Sequence, residues 1–489
     1  MKQKNIVCFV ADQMRSDALH HLGNEASITP NLDQIAKEGV SFANAYCQNP
    51  VCVPSRCSFL TGMYPHTLGH RTMHFLQNEE EPNILKEMKQ NGYEVIWIGR
   101  NDVVPADRLK TAYCDEYYDG YHSDNMRDQL VDAFGKMKGL DQTKEEVSKD
   151  ELYSFYMGKL PDGEGYGKSD WNCVQSALDY LDRKSKEPDG KPFFLYCTIS
   201  FPHPPYACED PWYSSIDRTL LPPRRPNVST LKDKASMLYQ IQEKQGLHWE
   251  EERFTELRAT YLAMVSRFDH QFGMLCDKLK EHEFYEDTNI FVWSDHGDYT
   301  TDYGIAEKVQ NCFEDPISNV PLLVKPSKEM DCVHGVVKEL VELVDLPSTF
   351  ADIARFPLGY IQFGKSLRAV IAGKAHKGFA CCEGGRIHGE IQAMEQGHGP
   401  ESPYWPRLST QSSEGPEHTK ACMIRMGNDK YTMRLYEKDE FYDLDQDPME
   451  LHNAIDDPRY QSRIMEMKQR LLQWYMETGD FVPNRRDKR

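Results

Sequence analysis

The side chains of this chain that could do chemistry are gathered in a few short stretches, the first being Cys52-Val53-Pro54-Ser55-Arg56. A thiol stands two residues before a proline and four before an arginine. Proline is favoured at the first helical position, where its missing N–H would be unbonded anyway, so Pro54 predicts a helix opening beside Cys52. The free N–H groups and positive dipole end of that helix would face whatever Cys52 meets, and Arg56 adds a planar cation suited to oxyanions. A thiol that only fills core space is the common alternative, because free cysteine is among the most buried residue types. Such a thiol needs none of these neighbours.

The other reactive groups stand where apolar runs end. The run at 6–10 leads to Asp12-Gln13, that at 95–98 to Gly99-Arg100-Asn101-Asp102, that at 193–199 to Phe201-Pro202-His203-Pro204, and that at 290–293 to Ser294-Asp295-His296-Gly297. Asp12, Asp295 and His296 are candidate ligands for a divalent cation, and Gln13 could add a neutral oxygen. His203 can exchange a proton, Arg100 can clamp an oxyanion, and Asp102 can orient Arg100, bind a sugar hydroxyl or accept from a cationic substrate.

Apolar runs of this length suit strands buried on both faces. Helical periodicity lies between them, at 32–39, 83–92 and 257–279; in the last, Leu257, Tyr261, Val265, Phe268, Phe272, Leu275 and Leu279 form one stripe. Strands alternating with helices predict a mostly parallel, doubly wound α/β sheet, and such sheets bind ligands beyond the carboxyl ends of their strands. All the groups above fall at such ends, which predicts a single site.

At 489 residues the chain exceeds one ordinary core, and we expect a catalytic domain at 1–370 and a C-terminal subdomain at 371–489. The latter should hold short strands at 422–426, 430–435 and 440–444, then a helix presenting Ile464, Met467, Leu471 and Trp474. A formal charge of -20 argues against a nucleic-acid partner. Fourteen cysteines without a C-x-x-C pair indicate neither a zinc ribbon nor a disulfide framework. The apolar run at 6–10 is too short for a signal peptide, and no stretch reads as a membrane span, so a cytoplasmic protein with reduced thiols is expected. Substrate contacts are expected from the polar cluster His66, His70, Arg71, Thr72 and His74, and from the long segment holding Arg386, His388, Tyr404 and Arg407.

Cys52-Val53-Pro54-Ser55-Arg56 with Leu60-Thr61-Gly62 resembles the signature of the type I, formylglycine-dependent sulfatases of the alkaline phosphatase superfamily. Ser294-Asp295-His296-Gly297, Pro202-His203-Pro204-Pro205 and the stretch from Asp447-Pro448 to Asn453 are similar to further segments of that family. The resemblance implies an alkaline-phosphatase-like fold with a smaller antiparallel α+β C-terminal subdomain. It implies that a maturating enzyme converts Cys52 to formylglycine, whose hydrated aldehyde attacks the sulfur of a sulfate ester. It assigns one divalent cation to Asp12, the modified Cys52, Asp295 and His296. Calcium is the family's choice, while His296, where many members carry asparagine, suits manganese or zinc. Arg56, Arg100, His203 and Lys308 join Cys52 as catalytic residues, with His203 protonating the leaving alcohol and Lys308 bridging sulfate and leaving group. Asp102, His74, Arg386 and His388 are the expected substrate contacts.

Two segments depart from the family pattern. Ala11-Asp12 replaces an Asp-Asp pair, and Gly99-Arg100-Asn101-Asp102 replaces a G-K-W-H run. Phosphonate monoester hydrolases share the formylglycine chemistry and often read D-Q after the first strand, as Asp12-Gln13 does here. The expected activity is hydrolysis of a small-molecule or oligosaccharide sulfate ester, a sulfated carbohydrate first. A phosphonate monoesterase or phosphodiesterase, and a binding protein that kept the fold, are the alternatives.

Overall fold

The apolar runs become strands slightly longer than their hydrophobic cores. The computed structural model describes residues 3–105, 108, 110–120, 152–160, 168–187 and 190–482. Its strands are β1 Asn5–Asp12, β2 Val40–Tyr46, β3 Glu94–Gly99, β4 Glu116–Tyr118, β5 Tyr156–Lys159, β6 Phe193–Pro202, β7 Tyr206–Cys208 and β8 Thr288–Ser294. After them come β9 Asn319–Val320, β10 Leu322–Lys325, β11 Gly335–Glu342, β12 Phe379–Gly384, β13 Ala421–Met426, β14 Asp429–Arg434 and β15 Glu440–Asp443.

The main sheet has the order β11-β2-β10-β8-β1-β6-β3-β4, with β9 paired to β2. β1 runs parallel to β6 and β8, and β3 runs parallel to β6 and β4. β10 is antiparallel to both β8 and β2, which leaves those two parallel to each other. The carboxyl ends of β1, β2, β3, β6 and β8 therefore share one edge.

Alternate residues of β1 enter separate cores. Val7, Phe9 and Ala11 join one cluster, and Ile6, Cys8 and Val10 the other. Since side chains alternate across a strand, the sheet is covered on both faces. The first face carries helix Glu251–Glu281, whose Phe268 and Phe272 rings lie 4.9 and 5.5 Å from that of Phe9. The second carries helices Cys52–Thr61, Ile84–Gln90 and Leu346–Ala354.

The C-terminal strands form an antiparallel sheet in the order β12-β13-β14-β15. Helix Gln461–Thr478 buries Ile464, Met467, Leu471 and Trp474 against it, the face its periodicity predicted. Among the described residues no cysteine is in a disulfide, and no helix is long and apolar enough to cross a membrane.

Candidate active site

Cys52 is the first residue of its helix, Val51 is the extended N-cap, and Pro54 is the third helical residue. The expectation that proline marks the first position is thus corrected by two places. The first backbone bond comes from Ser55 N–H to the Val51 carbonyl, at 3.2 Å. Pro54 falls in the turn whose N–H groups have no intrahelical acceptor, so its missing donor costs nothing there.

Asp12 closes β1, Asp295 and His296 come directly after β8, and Cys52 opens the helix after β2. All four are buried, and their ligand atoms lie within 4.8 Å of one another. Cys52 Sγ is 3.2 Å from His296 Nε2 and 3.6 Å from Asp12 Oδ1. His296 Nδ1 stands 2.9 Å from the Gly297 carbonyl, which can only accept, so Nδ1 carries the proton and Nε2 turns a lone pair to the cluster. Two carboxylates, one imidazole nitrogen and the position-52 side chain make a donor set that fits a divalent cation.

Cations surround this set. Arg56 donates from Nε to Asp295 at 2.9 Å and from Nη2 to Asp12 at 3.1 Å; Arg100 Nη1 donates to Asp12 at 2.9 Å. Burial would raise the Asp12 pKa, but Arg100 and Arg56 outweigh it and hold the carboxyl well below the usual range. Burial, reinforced by Asp12, pushes the Cys52 thiol far above its ordinary value. As encoded, Cys52 is therefore a poor thiolate nucleophile.

Lys308 Nζ lies 2.9 Å from His203 Nε2, 2.8 Å from Gln13 Oε1 and 2.7 Å from Glu307. His203 Nδ1 donates to the Pro204 carbonyl at 2.6 Å, so Nε2 is the acceptor for Lys308. Burial, with Lys308 next in effect, holds the His203 pKa well below its usual value. The proton available on this side belongs to Lys308.

Gln13 is strained to position itself. Its φ of 71° is left-handed, a region costly for a non-glycine residue. Its N–H donates to Asp295 at 3.0 Å, its carbonyl accepts from Tyr261 at 2.9 Å, and its side-chain nitrogen donates to Asp298 at 2.6 Å. The oxygen expected to reach a cation instead accepts from Lys308. Gly99 makes the other necessary turn: with φ 90° it passes so close to the Thr198 carbonyl that a Cβ would collide.

Asp12, Cys52, Arg56, Arg100, His203, Asp295, His296 and Lys308 come together. Asp102 joins them as a partner of Arg100, 2.6 Å from its Nε. Arg386 is buried, with its terminal nitrogens on the Ser413 carbonyl at 2.5 Å and on Glu414. His388 is exposed and stacks on Tyr436, and His74 is exposed. His66 is held by Glu383 and Thr478, His70 by Glu81, and Arg71 by Glu390. Of these, Arg71 ties down the segment after β12, and His66 joins β12 to the C-terminal helix. Asp298 and Glu307 escaped sequence reasoning, although Asp298 lies two residues beyond His296 in the same run.

The model of the family described as Sulfatase matches residues 4–356. The chain belongs to the sulfatase family. Its members hydrolyse sulfuric esters, and this sulfatase is a sulfuric ester hydrolase. It is 24% identical over 527 residues to the multifunctional alkaline phosphatase superfamily protein PehA of Trinickia caryophylli, covering 98% of this chain and 96% of that one. Its fold is similar to that of the phosphonate monoester hydrolase of Agrobacterium radiobacter, with a TM-score of 0.76, 20% identity and coverage of 97% and 96%. It is also similar to a structure solved in complex with its substrate D-glucosamine-2-N,6-O-disulfate, with a TM-score of 0.69, 18% identity and 98% of both chains covered.

Proposed function

We propose that this sulfatase hydrolyses the sulfate ester of a carbohydrate, using a formylglycine made from Cys52 by a maturating enzyme, and one divalent cation. The observation that carries this is the buried convergence of Asp12, Cys52, Asp295 and His296 inside a ring of Arg56, Arg100 and Lys308. The sugar is supported by the disulfated glucosamine held in a structure of similar fold.

A cation held by Asp12, Asp295, His296 and the position-52 side chain would supply Lewis-acid polarisation of the ester, and the formylglycine hydrate the attacking hydroxyl. Calcium is the first choice, and the imidazole of His296 favours manganese or zinc in competition. The chain's own residues prepare the rest. Arg56 fixes both carboxylates, Asp102 aims Arg100 at the oxyanion, and Lys308 supplies charge and a proton toward the leaving oxygen. His203 stays neutral and orients the Lys308 ammonium.

A second reading, phosphonate monoester or phosphodiester hydrolysis, is favoured by Asp12-Gln13 and by the fold's likeness to the phosphonate monoester hydrolase. Side-by-side kinetics with aryl sulfate and aryl phosphonate esters separate the two. Sulfate should be preferred in kcat/KM, and a reversed ranking would install the second reading. Mass spectrometry of the Cys52 peptide must show the aldehyde in the active protein.

A further inference from the structure

The segment between β12 and β13 contains helix Trp405–Gln411, which carries Arg407. Arg407 Nε lies 3.5 Å from Glu307 Oε2, and the other oxygen of Glu307 lies 2.7 Å from Lys308 Nζ. One carboxylate is thus shared by two cations. The Arg407 side chain is 8% exposed, and among the described residues its Nε and Nη1 make no hydrogen bond. Buried polar atoms are almost always hydrogen-bonded, and a guanidinium offers a planar fork for an oxyanion.

The surroundings point inward to the reaction centre. Lys308, the neighbour of Glu307, contacts His203 and Gln13. The Tyr404 ring, 5.6 Å from the guanidinium, is packed on Phe155 with centroids 5.0 Å apart, a rigid aromatic wall suited to a ring substrate. Tyr153 stacks on Trp405 and Lys244 donates to Ser409 and Thr410, both at 2.9 Å, so the helix is held in place from outside.

We propose that Arg407 receives a second oxyanion of the substrate, a carboxylate or a further sulfate borne beside the ester that is cleaved, and so selects polyanionic esters. The inference rests on the reading of the site as an ester-hydrolysing centre. Lys308 and Arg100 serve the reacting sulfate. Arg407, with half a counterion, takes the neighbouring charge.

The test uses aryl sulfates whose ring bears no other charge, a carboxylate, or a second sulfate, with the metal-loaded, formylglycine-containing enzyme. An anion-bearing ester should be favoured in kcat/KM by about 10- to 100-fold, the size of one charged hydrogen-bonded pair, and the two charged arms identify the oxyanion. Arg407→Met should bring that ratio close to one, while Arg407→Lys, which keeps the charge and loses the fork, should restore part of it. A wild-type ratio near one, or a ratio that Arg407→Met leaves intact, overturns the inference. Calorimetric binding of the same esters to Cys52→Ala and to its Arg407→Met double variant reads the preference without turnover. Preferential binding in a protein that cleaves none of these esters would sink the hydrolase reading and support the role of Arg407.

Discussion

Lys430 and Arg56 are both buried cations flanked by two carboxylates, and the rest of each carboxylate's surroundings separates a structural cluster from a reactive one. Lys430 on β14 donates to Asp315 at 2.5 Å, Glu450 at 2.7 Å and the Phe313 carbonyl at 2.9 Å. Asp315 also accepts from Tyr46 at 2.8 Å, and its own N–H donates to Glu450 at 2.7 Å. Both carboxylates there face donors, and the network locks the C-terminal sheet to the catalytic core. Around Arg56, Asp12 and Asp295 each use one oxygen on the guanidinium and bring the other within 3.8 Å of His296 Nε2. These oxygens and the Nε2 lone pair converge on one another, although Asp295 Oδ1 also accepts from the Gln13 N–H. Such an arrangement is poor for stability and suited to binding a cation, so burying a charge and using one call for different geometry.

Breaking the reactive side should give the largest effect. Cys52→Ala should lower turnover by at least about 10³-fold with little change in melting temperature, since position 52 carries the reacting group; turnover near the wild-type rate would end the enzymatic reading. Chelation, or Asp295→Asn, should remove the bound metal seen by elemental analysis and most of the activity, with activity restored to the chelated wild type by a divalent cation. Lys430→Met should do the opposite. It leaves Glu450 without its Lys430 partner and Asp315 with Arg425 alone, and should cost about 3–5 kcal/mol in unfolding experiments, while the folded fraction keeps its kcat.

Acid sharpens the same contrast. Burial acts to raise the Asp315 pKa, but Lys430 and Arg425 outweigh it and hold the carboxyl below its usual range. In the unfolded chain that group titrates near about 3.9. Its contribution is therefore full above that pH and is lost as pH falls through the folded value. Asp315→Asn should flatten the fall of melting temperature below about pH 4. The smallest effect is expected from His388→Ala, which should change kcat/KM by less than about twofold, because the contacts of His388 are Tyr436 and the Gly415 carbonyl.

The strand ends were legible because period and composition act locally: runs of four to eight apolar residues can only be buried strands here, and the polar residues after each run must lie on one edge. The amphipathic helix at 461–478 was legible for the same reason. The partners of Arg386 and Asp102 were not. Arg386 sits in a glycine-rich, histidine-bearing stretch that reads like a binding loop, and its terminal nitrogens meet Ser413 and Glu414. The position of Asp102 in the chain does not say which cations it meets, and only the fold brings it beside Arg100 and Arg56.

By itself the sequence determined which reactive groups are available and the edge of the sheet on which they gather: Cys52 at a helix start, Asp12 at the end of a strand, and Arg100, His203 and Asp295-His296 each just past one. Tertiary structure alone decided which charges neutralise one another. Arg56 meets Asp295 across 239 positions and Lys308 meets Gln13 across 295, while Gln13 turns its amide from the cation ligands to Lys308 and Asp298. Hydrogen bonding is short-ranged and directional, so a side chain's partner depends on which distant segments the packed sheet brings within about 3 Å, and no local pattern in the chain encodes that distance.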